Sequence, residues 1–128
     1  MTDINFLEAE LSCMAYAIYA EANTQSIQTK HGVGYVILNR VKSKRFGKSV
    51  CDVVYSKSQF IGIQDMINNI HDEPALKDLL ETKLIALDVY YGKVANPVAN
   101  SLYFHDDSIN MRHVWGKHTI KLNNLTFY

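Results

Sequence analysis

The sequence predicts a mainly helical α+β fold with a small antiparallel β element at its C-terminal end. Apolar residues recur at helical spacing as far as Tyr91, and short alternating segments then flank Asn123-Asn124. The 128 residues are enough to bury a core, and they contain no repeat or linker. We therefore predict a single domain over residues 1–128.

The first predicted helix runs from about residue 4 to residue 22, with Thr2 or Asp3 as its N-cap. Glu8 and Glu10 are expected near the positive end of its dipole, which favours acidic side chains. Its apolar stripe consists of Leu7, Leu11, Met14, Ala15 and Ile18.

A second helix is predicted from about Gln28 to Ser43. Gly32 and Gly34 lower its helix propensity and indicate the close approach of a neighbouring helix or a ligand. Its apolar stripe consists of Val33, Val36, Ile37 and Val41. After a turn at Arg45-Phe46-Gly47, two short helices are predicted, one capped by Ser49 and running through Tyr55, the other over residues 61–70.

The next predicted helix spans residues 73–91, with Asp72 as its cap, Pro74 in its first turn and Gly92 just past its end. We interpret its leucine stripe as core rather than as a partner-binding seam. The stripe consists of Leu76, Leu79, Leu80, Leu84, Leu87 and Tyr91. Beyond a turn at Asn96-Pro97, the predicted strands are Ser101–His105, Lys117–Lys121 and Leu125–Tyr128, the last two joined by a tight turn at Asn123-Asn124.

The charge balance argues against a nucleic-acid-binding function. Lys plus Arg and Asp plus Glu both total 13, whereas nucleic-acid binders usually carry a basic excess. A basic run is interpreted as a solvated loop with some affinity for an anionic wall polymer. It consists of Lys42, Lys44, Arg45 and Lys48.

Cys13 and Cys51 each lie in an apolar run, and we interpret them as buried free thiols of a protein made in a reducing compartment. The N-terminus is acidic where a signal peptide needs a basic start and an apolar core. No apolar stretch reaches the roughly 20 residues of a membrane span. The chain is therefore expected to be made in the cytoplasm, without stable membrane insertion.

Glu21 is the leading candidate for chemistry. It follows the apolar run Tyr16–Ala20 and precedes a polar loop, so its carboxyl group is expected to be partly desolvated. Desolvation raises the pKa of a carboxyl group toward the working pH, as a general acid in glycoside cleavage requires. The alternative is an ordinary solvent-facing glutamate at a helix end.

Several sequence boxes resemble the SleB-like, spore cortex-lytic type of cell-wall hydrolase. The Tyr-Ala-Glu-Ala box around Glu21 and the run Val36–Val41 both resemble the family pattern. They do so in the same register, with no insertion or deletion between them. The similarity continues through three further regions and the C-terminus. These are Ser49–Tyr55, Ser58–Phe60, Ser101–His105 with the Trp115 region, and Phe127-Tyr128.

The resemblance implies a lysozyme-related α+β catalytic domain that cleaves peptidoglycan between N-acetylmuramic acid and N-acetylglucosamine. Glu21 falls on the family's catalytic glutamate. In a lytic transglycosylase one carboxyl group suffices, because the muramic acid's own C6 hydroxyl closes a 1,6-anhydro ring. The other acids considered show no context typical of a nucleophile or a water-activating base. They are Asp52, Asp65, Asp106 and Asp107.

Four residues are predicted to lie on the substrate side of the site. The Gln59-Phe60 dipeptide resembles a family box, and an amide there suits an acetamido group. Tyr103 and His105 alternate on one face of a predicted strand, as a cleft wall requires, although core packing of Tyr103 and a backbone-bonded His105 are open alternatives. Tyr19 is expected to pack near Glu21.

Two departures from the family pattern bear on activity. The family commonly has Arg-Gly-Glu where this chain has Asn23-Thr24-Gln25, so a second acid is missing. Leu125 replaces a histidine near the C-terminus. These changes leave open a non-catalytic glycan-binding or structural virion protein, a muramidase that hydrolyses the same bond, and, more distantly, a helical adaptor domain.

The remaining predictions concern metals, partners and location. The five histidines show no zinc-site spacing, so neither a metal nor another cofactor is expected. The predicted partner is the peptidoglycan glycan strand, and a monomer is expected. Without a signal peptide, the chain suits a phage endolysin released by a holin or a lysin carried on a virion.

Overall fold

The computed structural model describes residues 3–56, 63–106 and 118–128. Within these ranges it contains five helices and a three-stranded antiparallel sheet, which confirms the predicted mainly helical α+β fold. The helices are α1 (Ile4–Ala22), α2 (Ile27–Ser43), α3 (Val50–Tyr55), α4 (Ile63–Asn69) and α5 (Glu73–Tyr90). The strands are β1 (Phe104–Asp106), β2 (Ile120–Leu122) and β3 (Leu125–Phe127).

Helix α1 forms the centre of the helical layer and packs against α2, α3 and α5. Asp3 caps it by accepting a hydrogen bond from the Asn5 amide at 2.8 Å, as predicted, while Thr2 lies outside the described residues. Met14, Ala15 and Ile18 are fully buried, whereas Leu7 and Leu11 are only half-buried. The tightest packing therefore lies in the second half of the helix, just before Glu21.

The two glycines of α2 permit close packing, as their positions predict. A Cβ atom added to Gly34 would lie 3.0 Å from Val89 of α5, and one added to Gly32 would lie 3.0 Å from Val98. Both distances are shorter than normal carbon–carbon contacts. Helix α2 is thus pressed against α5 on one side and against the segment before β1 on the other.

The prediction that the leucine stripe of α5 is core is wrong. Leu80 and Leu84 are each 65% exposed, Leu76 and Tyr91 are also exposed, and Leu79 and Leu87 are half-buried. The buried face of α5 instead consists of Thr82, Ala86 and Val89. The helix turns its small side chains inward because α2 approaches at Gly34, which leaves no room for leucines between the backbones.

The interpretation of Cys13 and Cys51 as free thiols is also wrong. They form a disulfide that joins α1 to α3, with their Cα atoms 5.2 Å apart. This separation lies within the range that a disulfide needs. The separation of 38 positions between the two cysteines conceals the pairing in the sequence, because only the packing of α3 on α1 brings them together.

Glu10 connects the same two helices. Its side chain is only 3% exposed, and its two carboxylate oxygens accept hydrogen bonds from the Val50 and Cys51 amides, each at 2.9 Å. Glu10 was expected to complement the dipole of its own helix, whereas it binds the N-terminal amides of α3. Glu8 instead forms an exposed ion pair with Lys83 of α5.

The sheet has the order β1-β3-β2, and Asn123 takes a positive φ of 52° in the hairpin between β2 and β3, as predicted. Strand β1 begins later than predicted, at Phe104. The reason is that α2 side chains bind the preceding carbonyl groups: Asn39 Nδ2 donates to Ala99 and Ser101, and Arg40 Nε donates to Leu102. These contacts hold residues 99–102 outside the regular ladder. The predicted start of β2 at Lys117 lies outside the described residues.

Replacement of Glu10 by Gln is expected to lower the free energy of unfolding by about 1–3 kcal/mol, because a buried amide cannot accept both backbone hydrogen bonds. Urea unfolding measures this loss. Glu8→Gln is the matched control, and its exposed ion pair is expected to contribute less than about 1 kcal/mol. Equal stability of the two variants would show that Glu10 does not stabilise the α1–α3 contact.

Reduction of the disulfide is expected to lower the free energy of unfolding by about 2–4 kcal/mol, because the unfolded chain regains the freedom of a long loop. Urea unfolding with and without a phosphine reductant tests this. A Cys13→Ala, Cys51→Ala double variant should not respond to the reductant. A wild type that is equally stable in both conditions would contradict the expectation.

Candidate active site

Glu21 stands in the last turn of α1, at the point where the helix leaves the core. Ile18 and Ala22 on either side of it are fully buried, while the Glu21 side chain is half-buried. The chain then turns, with the Gln25 amide donating to the Ala22 carbonyl at 3.0 Å. The buried neighbours fix the direction in which the carboxyl group leaves the helix.

A cavity of about 380 Å³ separates this end of α1 from the sheet. It is lined from the helical side by Glu21 and Gln25, and from the sheet side by β1 and by Asn124 and Leu125. All three residues of β1, Phe104–Asp106, contribute to the lining. Carboxyl, amide and imidazole groups therefore meet around one opening.

The surroundings of Glu21 favour its protonated form. Burial is the main cause that raises the pKa of its carboxyl group, and the negative charge of Asp106 raises that pKa further. A partly buried carboxyl group of this kind can donate a proton nearer to neutral pH than an exposed glutamate can. The expected desolvation is thus present, while the catalytic role of Glu21 remains a prediction.

Asp106 was not expected to take part, yet it lines the same cavity as Glu21. The sequence shows no acidic motif around it, and only the pairing of β1 with β3 places it there, opposite Leu125. Asp52 and Asp65 lie in α3 and α4 and are not among the described lining residues, and Asp107 lies outside the described residues.

His105 and Tyr103 share one face, as their alternation predicts. His105 lines the cavity, and its Nδ1 lies 3.0 Å from the Tyr128 hydroxyl. Tyr103 stacks on the Tyr128 ring at 5.6 Å and meets Phe46 edge-on at 5.9 Å. Tyr103 is exposed beside the cavity rather than among its described lining residues.

The other two predicted substrate-side residues are placed differently. Tyr19 is half-buried in α1, two positions before Glu21, and does not belong to the described lining of the cavity. Gln59 lies outside the described residues. Their contact with a substrate stays a prediction.

No sequence pattern predicted the supporting role of Arg40. Its buried guanidinium lies 4.6 Å from the Phe46 ring centroid and 5.5 Å from that of Tyr103, and its Nε donates to the Leu102 carbonyl at 2.6 Å. Burial lowers the pKa of Arg40, an effect partly offset by Tyr103 and Tyr128. Arg40 thus packs against the stacked rings of Tyr103 and Tyr128. Its position among apolar residues of α2 was the sequence feature that could have indicated this buried role.

The described residues hold no cluster of three or more His, Cys, Asp or Glu side chains arranged to bind a metal ion. Nor do they include a helix with the length and apolar character needed to cross a bilayer.

The fold places a carboxyl-lined cavity between a mainly helical layer and a small C-terminal sheet. Comparison with known families assigns this architecture to a class of cell-wall-degrading proteins. The chain belongs to the cell wall hydrolase family, which matches residues 24–128. That range begins after Glu21, so the family match by itself says nothing of this residue.

Among individual proteins, the chain is similar to spore cortex-lytic enzymes. It is 28% identical over 118 residues to the enzyme of Bacillus cereus, covering 91% of this chain and 42% of the relative. It is 27% identical over 117 residues to that of Bacillus subtilis, covering 91% of this chain and 36% of the relative. The chain thus spans less than half the length of these relatives.

Two solved structures share the fold. The catalytic domain of the Bacillus cereus SleB protein has a TM-score of 0.74 at 24% identity, covering 94% of this chain and 89% of that one. The catalytic domain of the germination-specific lytic transglycosylase SleB from Bacillus anthracis has a TM-score of 0.75 at 23% identity, covering 98% of both. These findings confirm the SleB-like resemblance and the fold class.

The raised pKa of Glu21 makes a prediction about stability. A carboxyl group with a higher pKa in the folded state binds more protons there than in the unfolded state, so stability falls as pH rises from the unfolded toward the folded pKa. The free energy of unfolding of Glu21→Gln, taken relative to that of wild type, should therefore be higher at pH 7 than at pH 4. Urea unfolding of both proteins at both pH values measures it. The same relative stability at the two pH values would contradict a raised pKa of Glu21.

Proposed function

We propose that this chain cleaves peptidoglycan glycan strands between N-acetylmuramic acid and N-acetylglucosamine as a lytic transglycosylase, with Glu21 as its acid and base. One observation supports this most strongly. In a member of the cell wall hydrolase family, a partly buried carboxyl group with a raised pKa faces a cavity between helix and sheet. The Bacillus anthracis neighbour, a lytic transglycosylase by name, supports the reaction type.

The proposed reaction needs one carboxyl group. Protonated Glu21 donates its proton to the glycosidic oxygen as the bond from that oxygen to C1 of the muramic acid breaks, and N-acetylglucosamine leaves with a free 4-hydroxyl. The resulting Glu21 carboxylate then accepts the proton of the muramic acid's C6 hydroxyl, whose oxygen bonds to C1. The product is a 1,6-anhydro ring, and the proton taken from the C6 hydroxyl leaves Glu21 protonated again.

The sheet side supplies the groups proposed to hold the sugar chain. A second cavity, of about 300 Å³, is lined in part by Ser101, His118 and Tyr128. Tyr128 also bonds to His105 in the first cavity, so the two openings adjoin through this pair. The exposed ring of Tyr103 on Tyr128 offers the apolar face on which a sugar ring packs. This arrangement suits an extended polymer better than a single small ligand.

The proposed place of action is the bacterial cell wall. The Cys13–Cys51 disulfide supports it, because such bonds persist in oxidising surroundings and are rare in the cytosol. The location therefore differs from the reducing compartment expected from the sequence. Delivery by a phage holin or virion stays a prediction.

The test is digestion of purified peptidoglycan by wild type and Glu21→Gln, with products identified by mass spectrometry. Wild type should release fragments with 1,6-anhydromuramic ends, and the variant should release them about 10²–10⁴-fold more slowly, because it lacks the titrating proton. Glu81→Gln, the same substitution at an exposed position on α5, is the matched control and should keep full activity.

Other products would contradict parts of the proposal. Fragments with reducing muramic ends would identify a muramidase that uses water. If folded wild type releases nothing, a glycan-binding or structural protein becomes the better explanation. The neutral Gln25 and apolar Leu125 in the cavity are the observations that favour this second function.

A further inference from the structure

Two carboxyl groups enter the cavity from opposite sides. Glu21 comes from the last turn of α1, and Asp106 from the last residue of β1. They are separated by 85 positions in the sequence, so the fold alone brings them together. The proposed single-carboxyl reaction gives Asp106 no role.

The sheet register explains the orientation of Asp106. Phe104 lies directly opposite Phe127, and Asp106 directly opposite Leu125. Paired residues of an antiparallel ladder project from the same face, and Phe127 and Leu125 are both buried. Asp106 therefore belongs to the sheet face that is turned toward the helices and the end of α1, and it lies at the exposed end of β1.

Besides Asp106, the described residues that line the cavity include few groups that can carry a charge. From the α1–α2 turn comes Gln25, and from the hairpin come Asn124 and Leu125, none of which titrates. From β1 come His105 and Asp106. Asp106 therefore supplies the second carboxyl group, besides that of Glu21, among the described lining residues.

We propose that Asp106 is a positioning residue for the reaction, whose carboxylate across the cavity keeps Glu21 protonated until the glycosidic oxygen accepts the proton. This inference rests on the proposed function of Glu21 and extends it. After proton donation, the same negative charge makes the Glu21 carboxylate a stronger base toward the C6 hydroxyl. The charge of Asp106 thus favours the protonated state from which the reaction starts and the proton acceptance that ends it, and it forms no bond with the sugar.

The experiment compares wild type, Asp106→Asn and Asp106→Glu. Asp65→Asn is the control, because it removes the same charge at an exposed position on α4. The titration of Glu21 is followed by carbon NMR of its carboxyl group, assigned with Glu21→Gln. The rate of release of anhydromuramic products at limiting peptidoglycan is measured across the same pH range.

Asp106→Asn should lower the Glu21 titration midpoint and move the alkaline limb of the rate profile to lower pH. Above that limb the variant should be several-fold slower than wild type, with little loss below it. Asp106→Glu should restore most of the profile, and Asp65→Asn should leave it unchanged. The difference between wild type and Asp106→Asn should shrink at high salt, which screens the two charges.

Two results would overturn the proposal. An unchanged Glu21 midpoint in Asp106→Asn would show that its charge does not reach Glu21. Loss of activity at every pH, as in Glu21→Gln, would make Asp106 a reacting base or nucleophile instead. If wild type releases no product at all, the proposed function fails, while the NMR titration still decides whether Asp106 controls Glu21.

Discussion

The burial of α1 between α2, α3 and α5 is the constraint on which the rest of the structure depends. Close packing at Gly34 lets α2 and α5 meet behind α1, and the Glu10 carboxylate fastens α3 to it through two backbone amides. The disulfide closes the same contact covalently. Because the helix is held along its length, its last turn has a fixed direction. Glu21 therefore enters the cavity from a rigid support, as the proton transfer proposed for it requires.

The opposite wall of the cavity is held by polar contacts as well as by the buried side chains of Leu125 and Phe127. Asn39 and Arg40 of α2 bind carbonyl groups of residues 99–102, and this fixes where β1 begins. Asn123 in the hairpin accepts hydrogen bonds from the Ser26 amide and the Thr29 hydroxyl at the start of α2. Both ends of α2 thus hold the sheet. Helix α2 thus packs against α1 and also holds the segment before β1 and the β2–β3 hairpin.

Local signals allowed the elements to be predicted, and non-local packing explains what was missed. Asp3, Ser49 and Asp72 cap their helices as their side-chain chemistry indicates, and Asn123 takes the turn conformation expected of it. The exposed leucines of α5, by contrast, follow from which face another helix approaches, which no single-helix pattern records. The disulfide and the approach of Asp106 to Glu21 likewise join positions far apart in the chain. The position of Glu21 was predictable because its apolar approach and polar exit are both local.

The departures from the resembled family converge on one place. Gln25 and Leu125 are the two positions at which the sequence was expected to depart from the resembled family, and both line the cavity that holds Glu21. Gln25 belongs to the α1–α2 turn and Leu125 to β3, whereas Asp106 of β1 contributes charge. The pKa of Glu21 is accordingly raised by burial first and by a strand residue second. The electrostatic support of Glu21 therefore comes from burial and from β1, and not from the two positions at which departures from the family were expected.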